Sequence, residues 1–169
     1  MKRGEFMKKI FFLLFVLVSF QSFAFDVDNL KGASCKKVSD AAADGFDPDM
    51  WYEYECSFDG SVTFDSLYND VLDNIEAAYN KKMIEEERAY SKEEQEKIKK
   101  ELTQEINNLR KAKKDVEYTY SNFVLIVIFE KDTVRFSTCD GYGEESYNYT
   151  IQKNNDNTVK LLFEYDSGF

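Results

Sequence analysis

The chain has no histidine among its 169 residues. That removes imidazole as general base, proton shuttle and metal ligand, and with it Ser-His-Asp and Cys-His machinery and the usual zinc sites. Only carboxylate pairs, lysine, tyrosine or a lone thiolate are left to do chemistry, so the expectation is a protein that is not an enzyme. There is one proline, Pro48. Beyond residue 24 no apolar run approaches the about 20 residues of a membrane-spanning helix, so no permanent span is expected in the rest of the chain. Bases are also few, 22 Lys and Arg against 32 Asp and Glu.

What is present begins with an export signature. Lys2, Arg3, Lys8 and Lys9 precede an eleven-residue apolar core at 10–20, and small residues follow at Ser22 and Ala24. These are the three regions of a secretory signal peptide, with cleavage expected after Ala24. Either Met1 or Met7 serves as a start, because the segment from Met7 is already a complete signal. The expected product, 25–169, has the length of a single domain and is exported, periplasmic or secreted. It retains 18 bases and 31 acids, a net charge of about −13. Such a surface repels phosphate backbones, which argues against nucleic acid and favours a basic partner.

Hydrophobic periodicity divides the chain into strands around a helical insert. In "MWYEYECSFDG", Met50, Tyr52, Tyr54, Cys56 and Phe58 alternate with Trp51, Glu53, Glu55 and Ser57, as on a strand with one apolar face. A shorter strand is expected at 33–38, then a loop holding Asp44-Gly45 and Pro48. Asp59-Gly60 predicts a bulged hairpin with Gly60 left-handed, which sets Cys56 opposite Val62 and Tyr54 opposite Phe64.

From Asp65, an expected N-cap, apolar residues recur every three or four positions: Leu67, Tyr68, Val71, Leu72, Ile75, Ala78, Tyr79 and Ile84. This helix is expected to run to about Arg88. Ser91 with Glu94 forms a capping box opening a second, whose stripe is Ile98, Leu102, Ile106, Leu109, Ala112 or Lys113, and Val116. Four strands follow, at 122–130, 133–138, 145–152 and 158–165. The first is apolar on alternate and intervening positions alike, which predicts burial on both sides under the helices. The fold class is therefore α+β: an antiparallel sheet or partly closed barrel-like meander with a two-helix hairpin inserted at about 65–115. That insert holds 13 acids and 11 bases, so the strand-forming remainder of 25–169 carries 18 acids and 7 bases.

In an oxidising compartment three cysteines make one disulfide and leave one thiol. Cys35 and Cys56, on neighbouring expected strands, are the favoured pair, and Cys139 is the free thiol. Asp140, Glu144 and Glu145 beside Cys139 disfavour a thiolate, so no nucleophilic role is expected of it. Asp40, Asp44, Asp47 and Asp49 lack EF-hand spacing and, like the turn 154–157, read as solvated, so no metal or cofactor is expected. Tyr52, Tyr54, Phe136, Tyr147, Tyr149 and Phe163 fall on apolar strand faces. Buried phenols need polar partners, and these six residues are the expected lining of a cavity if the protein carries a ligand.

The meander from Phe123 to Tyr165 resembles the later strands of lipocalin-like barrels, which implies an apolar small-molecule ligand. "YEYECSFDGSVTF" is similar to the start of small periplasmic lysozyme-inhibitor barrels, which implies inhibition of a basic, envelope-targeting enzyme. The Ser-Gly-rich loop of those inhibitors has no counterpart here, and the helical insert is foreign to both families. The leading expectation is an exported, non-enzymatic protein that engages a basic protein partner in the cell envelope or outside the cell. A carrier and an inhibitor are the alternatives.

Overall fold

The computed structural model describes Leu30 and residues 32–45, 51–85, 91–120, 123–140 and 145–167. The expected leader at 1–24, Pro48 and its neighbours at 46–50, and the loop at 141–144 lie outside the described residues. Among these residues seven strands form one open antiparallel sheet in the order β1-β2-β7-β6-β5-β4-β3. They are β1 Ala33–Asp40, β2 Trp51–Phe58, β3 Val116–Tyr120, β4 Phe123–Glu130, β5 Thr133–Asp140, β6 Ser146–Lys153 and β7 Val159–Asp166. Helices α1, Phe64–Glu85, and α2, Lys92–Ala112, connect β2 to β3 at the opposite edge. The meander β3 to β7 then returns strand by strand until β7 lies against β2.

The fold is α+β, and of the two sheet forms expected the open one is found. β1 and β3 are its two edges. β1 carries Lys36 and Lys37 and a bulge between Lys37 and Ser39, features that discourage edge-to-edge pairing.

Both helices lie on one face of the sheet. Leu67, Tyr68, Val71, Leu72, Ile75 and Tyr79 of α1 and Ile98, Leu102, Ile106 and Leu109 of α2 pack with Leu125, Val127, Val134, Phe136, Ile151, Leu161 and Phe163. Each such side chain contributes about 1.5–3 kcal/mol by leaving water. The capping box at Ser91 and Glu94 is present, and acids at the start of α2 and Arg110 and Lys111 at its end complement the helix dipole. Tyr68 ties the helices together by donating its hydroxyl to the Leu109 carbonyl at 3.1 Å. Burial pushes the pKa of this phenol up to about 12. Arg110 pairs with Asp73, and Lys113 with Asp65.

Several expectations are corrected. Residues 61–63 form no strand: the Asp59 carboxylate accepts from the Ser61 amide at 3.0 Å, and the Asp59 carbonyl accepts from Val62. This turn leads straight into α1, while both edges of β2 are taken by β1 and β7. Gly60 is not left-handed; Gly32 is, at φ +72, where an added Cβ would lie 3.1 Å from the Asp59 carboxylate. The first N-cap is Thr63 rather than Asp65, since Thr63 and Ser66 exchange backbone-to-side-chain hydrogen bonds at 2.9 and 3.1 Å. Ala78 is exposed. The end of the first helix expected near Arg88 lies outside the described residues.

The second helix stops at Ala112, with Lys113 left-handed at φ 39, so Val116 opens a strand instead of extending the helical stripe. That strand, β3, makes the final meander five-stranded. β4 is buried on one side only. Phe123, Leu125 and Val127 face the helices, whereas Ile128 on the other side is 44% exposed.

Candidate functional site

The sheet presents two faces of different character. On the helix-bearing face, Cys35 stands opposite Cys56 on the adjoining strand, and the two form a disulfide with Cα atoms 4.0 Å apart. Cys56 faces the core and is fully buried because it is half of this staple. Tyr52, Tyr54, Tyr147 and Phe163 meet on the same face together with Tyr165. Tyr52 lies 4.9 Å from Tyr165 and 6.2 Å from Phe163, centroid to centroid, and Tyr147 lies 5.1 Å from Tyr165.

Tyr149 adjoins this group at 5.1 Å from Phe163, while Phe136 packs 5.4 Å from Tyr68 of α1. The six residues expected to line a cavity are thus brought onto one face. Tyr52, Tyr54 and Tyr147 are half-buried there, and Phe136, Tyr149 and Phe163 belong to the core. Burial raises the Tyr147 and Tyr149 phenol pKa values above the ordinary tyrosine value, helped for Tyr147 by the nearby Glu145 charge.

The opposite, outer face is where the register places groups that the sequence alone did not bring together. One transverse row runs Glu53, Glu164, Asn148, Ser137, Ile126 across β2, β7, β6, β5 and β4. The next runs Glu55, Leu162, Thr150, Arg135, Ile128 across the same strands. Between them lies an open groove of about 440 Å³ with Ile126, Ile128 and Leu162 as apolar walls and Arg135, Asn148 and Glu164 as polar ones. Ser137 donates to Asn148 at 2.6 Å within the first row. Cys139, half-buried, belongs to a third row, between Ser146 and Val124.

In comparisons with family models, curated proteins and solved structures, nothing matches this chain. The site is therefore read from its own chemistry. Among the described residues no group of three or more Cys, Asp or Glu side chains could hold a metal ion, and no helix is long and apolar enough to cross a membrane.

The acids of the two rows are treated differently. Glu55 lies 3.7 Å from Lys36 and 3.2 Å from Lys160, and the hydrogen bond and charge of Lys160, then Lys36, hold its carboxyl below the ordinary glutamate range. Glu53 and Glu164 stand directly opposite each other on β2 and β7, with no ion-pair partner among the described residues. Burial, then the neighbouring Glu53 carboxyl and its charge, raise the Glu164 pKa.

A carboxyl whose pKa is raised on folding costs stability above the raised value and costs nothing below the unfolded one, so the penalty grows as pH rises between them. Glu164→Gln is accordingly expected to stabilise the protein at neutral pH by about 0.5 kcal/mol, the scale of an opposed like-charge pair partly screened by solvent. Thermal melts should show this gain shrinking as pH falls toward 4, where Glu164 is already protonated. A gain independent of pH would show that the carboxyl pair is not its source.

Alternation put Glu53 and Glu164 on polar strand faces, but only the strand order makes them neighbours. The one signal pointing to the outer face was β4, whose Val124, Ile126 and Ile128 are apolar with no covering layer among the described residues.

Proposed function

We propose that this is an exported, non-enzymatic binding protein whose partner is a basic protein in the cell envelope or outside the cell. The observation that carries the reading is the outer face, where an apolar groove adjoins a carboxylate pair that has no cation of its own among the described residues. The net charge of about −11 on the strand-forming part of the chain supports it, since like-signed surfaces steer oppositely charged partners. The leader-like start supports export, and the Cys35–Cys56 disulfide fits an oxidising compartment. Lack of histidine supports a non-enzymatic role.

The test is capture of proteins from the compartment where the mature chain accumulates, at about 50 and about 500 mM salt, the range over which screening of exposed charges becomes strong. The expected result is a basic protein retained at low salt and released at high salt. Failure to retain any basic protein at low salt overturns the reading, and an apolar molecule lost only on denaturation would put a carrier in its place.

A further inference from the structure

We infer that Glu53 and Glu164 are the cation seat of this surface: an arginine side chain of the partner lies against the two carboxylates while an apolar residue near it enters the groove at Ile126, Ile128 and Leu162. The inference rests on the proposed basic partner and names where and how that partner is held.

The contrast with Glu55 on the same face carries the argument. Glu55 has two lysines within 4 Å, one from each neighbouring strand. One row away, Glu53 and Glu164 have each other and no cation among the described residues. Directly opposed like charges are normally unfavourable in a sheet, and a planar guanidinium, with its fork of donors, fits two adjacent carboxylates better than a point-charge ammonium.

The groove supplies the second half of the contact. Glu164 and Ile126 occupy one row with Asn148 and Ser137 between them, so they are three strand spacings apart, about 14 Å. An extended segment presents same-side residues four positions apart at about that distance. The recognised element is thus an arginine followed or preceded four residues away by an aliphatic residue, lying across the strands.

Protons are linked to this seating. The charged groups facing Glu164 are Glu53 and Glu55 on β2, Asp166 and Lys160 on its own strand, Lys36 beyond Glu55, and Arg135 across the groove. Lys36 and Lys160 are engaged with Glu55, and Arg135 lies 3.6 Å from Glu130. The raised Glu164 pKa means that Glu164 takes up a proton at higher pH than an ordinary glutamate does. A seated guanidinium requires both carboxylates ionised, so that proton leaves to solvent on binding and the affinity falls as pH is lowered.

The experiment titrates the end-blocked peptide Arg-Ser-Thr-Ser-Leu into the mature protein, following isoleucine methyl resonances, for wild type, Glu53→Gln, Glu164→Gln and Glu55→Gln. The expected result is weakening of about fivefold in each of the first two variants and less than twofold in Glu55→Gln, the scale of a partly exposed charge pair. The Lys-for-Arg peptide binds more weakly, and the wild-type affinity falls as pH is lowered from neutral toward the range in which Glu164 protonates.

Equal losses in all three variants would mean diffuse acidity without a seat, and absence of any loss, or of any binding by wild type, would also overturn the inference. Those outcomes leave the salt-sensitive capture of a basic protein to be judged separately, so the two readings fail independently.

Discussion

Replacing Cys35 and Cys56 together by alanine is expected to lower the stability of the protein by about 3 kcal/mol, the chain-entropy value for a loop of this size. The two residues are 21 positions apart, and the bond ties the edge strand β1 to β2, its one sheet neighbour among the described residues. The ladder between β1 and β2 is already interrupted by the bulge at Lys37 and Ser39. Thermal melts should drop by roughly 10 °C for a domain of this length. Amide exchange should quicken most in β1, while β6, deep in the sheet, changes least, because edge elements open at lower free energy than central ones. A double mutant that melts like wild type would mean that the staple does no more than the strand pairing already does.

Phe136→Ala is expected to cost about 3–5 kcal/mol, the range for deleting a fully buried aromatic ring. Phe136 is 1% exposed, sits in the centre of β5, and meets Tyr68 of α1 across the layer boundary, so its removal opens a void between sheet and helices. Ile128→Ala, on the adjoining strand β4 but on the outer face, should change stability by less than about 0.5 kcal/mol. Denaturant titration of both variants tests the assignment of the two faces directly. A large loss for Ile128→Ala would mean that the outer face is covered by something that packs on it.

How far the sequence foretold this architecture depends on how local the information was. The period-3.6 stripe at Leu67 to Tyr79 and the capping box at Ser91 and Glu94 are encoded within a turn or two, and both helices were legible. Cys35 and Cys56 flank a loop between adjacent strands, so their pairing was legible too.

Val116 was not, because one valine after a helical stripe continues that stripe as well as it begins a strand. The left-handed Lys113 that separates the two is a backbone event without a glycine to announce it. The apparent hairpin at Asp59-Gly60 failed for a nonlocal reason. The partners of β2 are β1 and β7, and β7 lies a hundred residues further along the chain. The Glu53–Glu164 pair depends on that same contact. Each residue could be assigned a polar face, but their adjacency, and the groove beside them, exist only once the meander has brought β7 back.

The central claim is that the outer sheet face, at Glu53, Glu164, Ile126 and Ile128, is where a basic partner binds. The measurement that tests it most directly is the isoleucine methyl spectrum of the protein with and without a basic protein captured in the low-salt experiment. The account predicts perturbation of Ile126 and Ile128, with Ile98 and Ile106 of α2 and Ile151 of the core unchanged. Perturbation confined to the core and helix isoleucines, with Ile126 and Ile128 unmoved, would contradict it.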